Sequence, residues 1–421
     1  MRTAAVKGTS RPRGLVAALA VVMLALALVS TATATAAAVA AASCASSSSA
    51  LTAAATGAIY ETHFKKPWNE DAPEGLQHLE HVNICVPTHG PAKQLYYDVL
   101  GFSPDERRAH NIEKGSGTIW ANLGTTQLHL PQGGPQVVPG TIGLVYSDLT
   151  EVVSRLGEAN RDALEGTEFA WNKESDDVVH VSCPYGNFFR LHKRKPDPSA
   201  THGQSLDPLD ARGGSLPNVS PAAGFPHGLA IAYVHFRVKP GASAGIARFY
   251  RDVFGADVEE IAVSTPSGET CSLVRVLCLH LVGGGMGELG CAGGVYAGDG
   301  IDDGNQTAGT VVRVGPVQQL AFVEGEEALP EYDGHHICVY LSDEGFRRSF
   351  LEADKRGLVF VNPRPNYGRA DTLESALEEK QFRVKNMVDP ATGELLHVLE
   401  HEVRCISHPS YPVGRSVSAK K

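Results

Sequence analysis

The segment Gln94-Leu95-Tyr96-Tyr97-Asp98-Val99-Leu100-Gly101 returns later in the chain as Arg248-Phe249-Tyr250-Arg251-Asp252-Val253-Phe254-Gly255, each copy following a strand-like stretch. Such a repeat restricts the fold, because two related units must close their cores with the same kind of helix. In the first copy Ala92, Leu95, Tyr96, Val99 and Leu100 recur at helical spacing, and in the second Ile246, Phe249, Tyr250, Val253 and Phe254 do so. Gly101 and Gly255 stand where a left-handed residue closes a helix and lets the chain turn back.

The stretches before these helices alternate. In His81-Val82-Asn83-Ile84-Cys85-Val86 the apolar residues point one way and His81, Asn83 and Cys85 the other, which predicts a strand with one face toward helices and one polar face. Tyr233-Val234-His235-Phe236-Arg237-Val238 repeats the pattern. Further strands are expected over 118–123 and 127–130. A second module in each half begins with a strand capped by Ser147-Asp148 or Ser342-Asp343, followed by an apolar-periodic helix. The expected fold class is therefore α+β, with four βαβββ modules at about 77–131, 140–195, 229–325 and 333–403, paired into two domains with concave mixed sheets. The expected domains are 77–195 and 229–403, with a polar linker over 196–226 and a C-terminal tail over 404–421. The third module is longer than the first by about 43 positions. The excess is placed in a glycine-rich segment at about 275–312, read as an insertion or a retained intron; its Gly283-Gly284-Gly285-Met286-Gly287 lacks the lysine of a phosphate loop.

No acidic residue precedes Glu61, and Arg2, Lys7, Arg11 and Arg13 lie ahead of an apolar run from Leu15 to Val29. That pattern predicts a targeting leader over 1–60, addressed to the secretory pathway or to an organelle, a plastid included. A formal net charge of -10 argues against nucleic acid or an anionic membrane as the main partner. A small-molecule ligand and a monomer or homodimer are expected. The eight cysteines show no paired spacing and read as isolated thiols.

The His81-Val82 strand start, the Tyr96-x-Asp98-Val99-Leu100-Gly101-Phe102 helix end, His335-His336-Ile337 and the Asp389-Pro390-Ala391-Thr392-Gly393 turn together resemble the vicinal-oxygen-chelate superfamily of glyoxalases, bleomycin-resistance proteins and extradiol dioxygenases. The resemblance covers about 77–403. It implies a fold with many chemistries, in which metal-using members draw ligands from the first and last strands of their modules. Carried over by position, it places His81 and His129 in the ligand places of module one, Thr141 and Arg190 in those of module two, Tyr233 and Ala321 in module three, and His336 and His397 in module four. The donors concentrate in modules one and four. The resemblance thus implies His81, His129 and His336 as ligands of a divalent metal (Zn, Ni or Fe(II)), with His397 or Glu400 as fourth ligand or proton-transfer base. A one-residue slip in register would bring Glu400 or Glu402 in as the missing acid.

Two functions follow from this reading. One is a metal-dependent lyase, isomerase or ring-cleaving dioxygenase acting on a small substrate with adjacent oxygens. The other is a metal-free, bleomycin-resistance-like binding protein whose cavity is lined by Trp120, Tyr146, Phe188 and Tyr233, with Arg190 available to an acidic ligand group.

Overall fold

A computed structural model describes residues 74–158, 163–193, 228–264, 306–315, 318–363 and 369–411. The leader, the linker over 196–226 and most of the glycine-rich segment lie outside these residues. The described chain is α+β, built on two open mixed sheets.

The strands are β1 (Leu76–Asn83), β2 (Ser103–Pro104), β3 (Thr118–Leu123), β4 (Thr126–Pro131), β5 (Gly140–Tyr146), β6 (Ala170–Lys173), β7 (Val178–Ser182), β8 (Phe188–Lys193), β9 (Gly228–Val238), β10 (Val258–Ser264), β11 (Gln306–Val314), β12 (Gln318–Glu324), β13 (His336–Leu341), β14 (Gln381–Val388) and β15 (Leu395–Cys405). The first sheet runs β14-β15-β13-β1-β4-β3-β2 and the second β10-β11-β12-β9-β5-β8-β7-β6. Each sheet thus joins one module from each half of the sequence: the first module pairs with the fourth, and the second with the third. Both sheets have the same plan, a central antiparallel pair (β1/β13 or β5/β9) flanked by parallel pairs.

The helices follow the periodicity. In Ser243–Phe254, Ile246, Phe249, Tyr250, Val253 and Phe254 are all fully buried, and Gly255 closes the helix at φ 57°. Large apolar side chains in such positions contribute roughly 1.5–3 kcal/mol each. The first-module copy departs from a plain α-helix: a short turn over His89–Ala92 passes into a π-helix over Lys93–Val99, which buries Leu95, Tyr96 and Val99, and Gly101 follows at φ 73°. The Ser342 hydroxyl caps Asp343–Lys355 by accepting from the Gly345 amide.

Two boundaries move. Residues 306–312 do not belong to an insertion, because they pair with β10 over Val258–Ser264 and complete the sheet. Nor does a tail begin at 404: β15 continues to Cys405, and Arg404 is enclosed at the polar face of the first sheet. Among the described residues Cys183, Cys338 and Cys405 are free thiols.

The two sheets meet through Gln318. In β1 the register slips between Leu79, opposite Val339, and His81, opposite Cys338. The Gln318 side chain accepts from the Leu79 amide at 3.0 Å and donates to the carbonyls of Leu79 at 2.9 Å and Ile231 at 2.8 Å. A single buried amide therefore satisfies backbone groups from both sheets. Replacing it by leucine strands those groups away from water, and Gln318→Leu is expected to lower stability by about 2–4 kcal/mol, read as a shift of the urea midpoint at unchanged slope.

Candidate metal centre

The slip in β1 also makes the site. Leu79 faces Val339 and His81 faces Cys338, so Glu80 is an extra residue on β1, and a bulge of this kind lets two consecutive side chains serve one face. Glu80 and His81 are both buried and bonded to each other, the ring Nδ1 donating to Glu80 Oε2 at 3.1 Å. Because an ionised carboxylate only accepts, the imidazole proton sits on Nδ1 and the lone pair on Nε2. That Nε2 is buried and has no hydrogen-bond partner among the described residues.

Register then decides what surrounds it. Across β1/β4, His81 pairs with Gln127 and the next inward position is His129; across β13/β15, His336 pairs with Glu400 and the next inward position is Glu402. His81 and His336 are thus equivalent positions, as are His129 and Glu402. The donor atoms of His81, His336 and Glu402 all lie within 4.8 Å of one another, with His336 Nε2 3.7 Å from Glu402 Oε2. Glu80, His81 and Cys338 form a second such group, but burial pushes the Cys338 thiol well above its usual range, so it stands there as a neutral packing group.

The expected residues divide accordingly. His81 and His336 come together, their ring centroids 5.7 Å apart. His129 is beside them but not among the converging donors: its ring stacks on His81 at 3.7 Å, with Trp120 on its other side at 4.4 Å. Arg108 and Arg107 lie over Trp120 at 4.5 and 4.7 Å, extending the stack. The His129 tautomer follows from its neighbours. Gln127 Nε2 donates to Asp105 at 2.7 Å and to Asn122 at 2.5 Å, so Gln127 Oε1 is the acceptor for His129 Nε2 at 3.0 Å. The proton is on Nε2, Nδ1 carries the lone pair, and burial together with the nearby His81 holds His129 neutral, well below the usual histidine range.

Glu400 lies opposite His336, where Arg383 holds its Oε1. His397 does not reach the cluster. β15 carries a register irregularity between its contacts at Val398 and His401, and β13 begins only at His336, opposite Glu400. His397 therefore projects past the start of the neighbouring strand, and Glu402 stands at the position that the family resemblance gave to His397. Arg404, absent from the sequence reading, bridges the acids. It bonds Glu80 Oε2 at 2.6 Å, pairs with Glu402 Oε1 and contacts the Tyr340 hydroxyl at 3.2 Å, while Arg383 pairs with Glu402 Oε2. Burial alone would raise the Glu80 carboxyl, but Arg404 and His81 hold it at about 2. Arg404 and Arg383 likewise hold Glu402 well below the carboxylate range against its burial.

The equivalent positions of the second sheet carry no such set. They are Thr141, Arg190, Tyr233 and Ala321, as register across β5/β8, β5/β9 and β9/β12 shows. Arg190 pairs with Glu174, and the Tyr233 ring lies across Gly143, where a Cβ would come within 2.1 Å of it. Beside them His235 is fully buried, with both ring nitrogens lacking partners among the described residues.

No protein-family model matches the chain, and no curated protein matches it. Among solved structures the chain is similar to glyoxalase I from Zea mays, at 10% identity over 78% of this chain and 92% of that one, with a TM-score of 0.41. It is also similar to a putative dioxygenase from Bacillus subtilis, at 12% identity over 79% and 86% of the two chains with a TM-score of 0.40. The 2,3-dioxygenase LapB from Pseudomonas sp. KL28 is 15% identical over 79% and 93%, with a TM-score of 0.25.

Two outcomes test the electrostatics. Arg404→Met leaves Glu80 and Glu402 buried without their shared partner and is expected to cost about 3–5 kcal/mol at neutral pH, measured by urea unfolding. For His235, burial and then Arg237 lower the folded-state pKa to about 3 from 6.5. The unfolded chain takes up a proton that the folded chain refuses, so stability falls as pH drops from 6.5 toward 3. His235→Leu is expected to remove about 3 kcal/mol of that loss by pH 4, seen as a flatter stability profile with no loss at pH 7.

Proposed function

We propose that the cluster on the first sheet holds a divalent first-row metal through His81 Nε2, His336 and Glu402, and that the chain uses it on a small substrate with two adjacent oxygens. The observation that carries this reading is His81 Nε2: a buried lone pair with no partner, on a ring whose other nitrogen is held by a carboxylate, the arrangement that orients metal-ligating histidines. The donor set fits. Two imidazoles and one carboxylate suit Fe(II), Ni or Zn, and the Glu402 carboxylate has lone pairs beyond the two taken by Arg383 and Arg404. By formal charge, three acids (Glu80, Glu400, Glu402) face two guanidiniums, which leaves one negative charge for a cation to compensate.

A bound divalent cation would withdraw charge from the two substrate oxygens and so ease lyase, isomerase or ring-cleaving chemistry. The chain's own residues prepare for this. Glu80 selects the tautomer of His81, and Arg404 keeps Glu80 and Glu402 ionised in a setting that would otherwise protonate them. We assign proton transfer to His129, whose neutral ring has its lone pair on Nδ1, because Arg383 already engages Glu400 and His397 lies elsewhere.

Elemental analysis of the purified chain tests the reading. About one metal per chain is expected, falling to background in His81→Ala, His336→Ala and Glu402→Ala, with Glu80→Gln binding 10- to 100-fold more weakly, roughly the range for lost orienting partners. His397→Ala and His129→Ala are expected to retain metal, and His129→Ala to lose turnover. A wild-type chain with no more metal than the His336→Ala variant would replace this proposal with the metal-free binding protein.

A further inference from the structure

His397 and His335 meet at a place that the metal reading does not use. A cavity of about 230 Å³ lies where the start of β15 and the segment before β13 approach the ends of β5 and β9. Its walls are mostly apolar, among them Val137, Leu329, Pro330 and Leu396, and both imidazoles line it. The Phe236 ring stands behind the pair, 6.3 Å from His335 and 6.1 Å from His397.

The polar equipment of this cavity is specific. His335 is buried, and its Nδ1 donates to Asp333 Oδ1 at 2.7 Å. Neither His335 Nε2 nor His397 Nε2 has a hydrogen-bond partner among the described residues, so with Nδ1 committed to Asp333 the His335 ring offers Nε2 as its unpartnered end. The Tyr332 hydroxyl is already spent on the His335 carbonyl at 2.6 Å, which pins the segment that carries the imidazole. The lining cation, Lys239, is neutralised by Glu394 at 2.7 Å. The other charge on the lining is the exposed Glu331 carboxylate, so apolar walls with an acid at the rim favour an uncharged ligand over an anionic one, and an unpartnered imidazole nitrogen favours one that offers a hydrogen bond.

We propose that this cavity is a second ligand site, separate from the metal cluster, which takes a small neutral phenol or alcohol. The hydroxyl donates to His335 Nε2, the apolar body lies against the proline and leucine wall, and His397 closes the polar end. The volume is below the roughly 300–1,000 Å³ of sites for drug-sized molecules, so the occupant is of one- or two-ring size.

Titration of the full chain with 2-naphthol, followed by the probe's fluorescence, tests this, with naphthalene and 2-naphthalenesulfonate as comparison probes. Saturable binding of 2-naphthol is expected, about tenfold tighter than naphthalene, as one buried hydrogen bond supplies, and the sulfonate is expected to be excluded. His335→Phe is expected to abolish the preference for the hydroxyl while naphthalene still binds. Val137→Trp, a substitution at the partly exposed rim, is expected to block both probes while leaving the metal content of the chain unchanged. Equal affinity for 2-naphthol and naphthalene, or a preference that survives His335→Phe, would overturn the assignment of His335. Absence of saturable binding, or binding that Val137→Trp leaves intact, would overturn the site. Because metal content is read separately, failure of this proposal is distinguishable from failure of the metal reading.

Discussion

Leu79 and His81 of β1 face consecutive residues of β13, so Glu80 has no counterpart on the neighbouring strand. A regular strand would have sent Glu80 and His81 to opposite faces, one into the polar cluster and one among the helices. The extra residue turns both inward, where the acid can hold one ring nitrogen and leave the other exposed to the cluster. Beside the irregularity, Gln318 from the second sheet bonds both the amide and the carbonyl of Leu79. One local defect in pairing thus sets the chemistry of the first sheet and anchors it to the other.

Around that point the charges form a chain: Glu80, Arg404, Glu402, Arg383 and Glu400 alternate in sign across β1, β15 and β14. Buried ions are costly singly, and each is tolerated here because its neighbours compensate it. The arrangement holds the carboxylates of Glu80 and Glu402 in their ionised form, the form that can meet a cation, and burial with the nearby His81 keeps the His129 ring neutral. In the second sheet the same four positions are occupied by a tyrosine packed on glycine, an arginine tied to Glu174, a threonine and an alanine. The two sheets share one frame, and side-chain content makes a donor cluster in one of them.

The cavity at His335 and His397 shows how strand ends can diverge from strand centres. Two residues adjacent in sequence, His335 and His336, serve different places, since His336 begins β13 and His335 precedes it. The bond from His335 to Asp333 and the bond from His81 to Glu80 follow one rule, an acid fixing the tautomer of a ring whose far nitrogen is open. Converging donors and net negative charge accompany that rule in the first case, and an apolar chamber in the second.

Much of the architecture was legible in the sequence because it depends on neighbours along the chain. Alternation in His81–Val86 and helical spacing before Gly101 and Gly255 are local properties, and they specified strands, helices and a four-module count. The presence of imidazoles at 81 and 336, and the poverty of donors at Thr141, Arg190, Tyr233 and Ala321, were likewise readable by position. What tertiary structure alone decided was registration. The bulge at Glu80 and the irregularity in β15 each shift pairing by one residue, and with a period of two a single step exchanges one face for the other. That step brought in Glu402 in place of His397, enlisted Arg404 from what read as a tail, and stacked His129 against His81 instead of aiming it at a shared centre. A strand's sequence states which residues alternate; only its pairing with strands hundreds of residues away determines which of them meet.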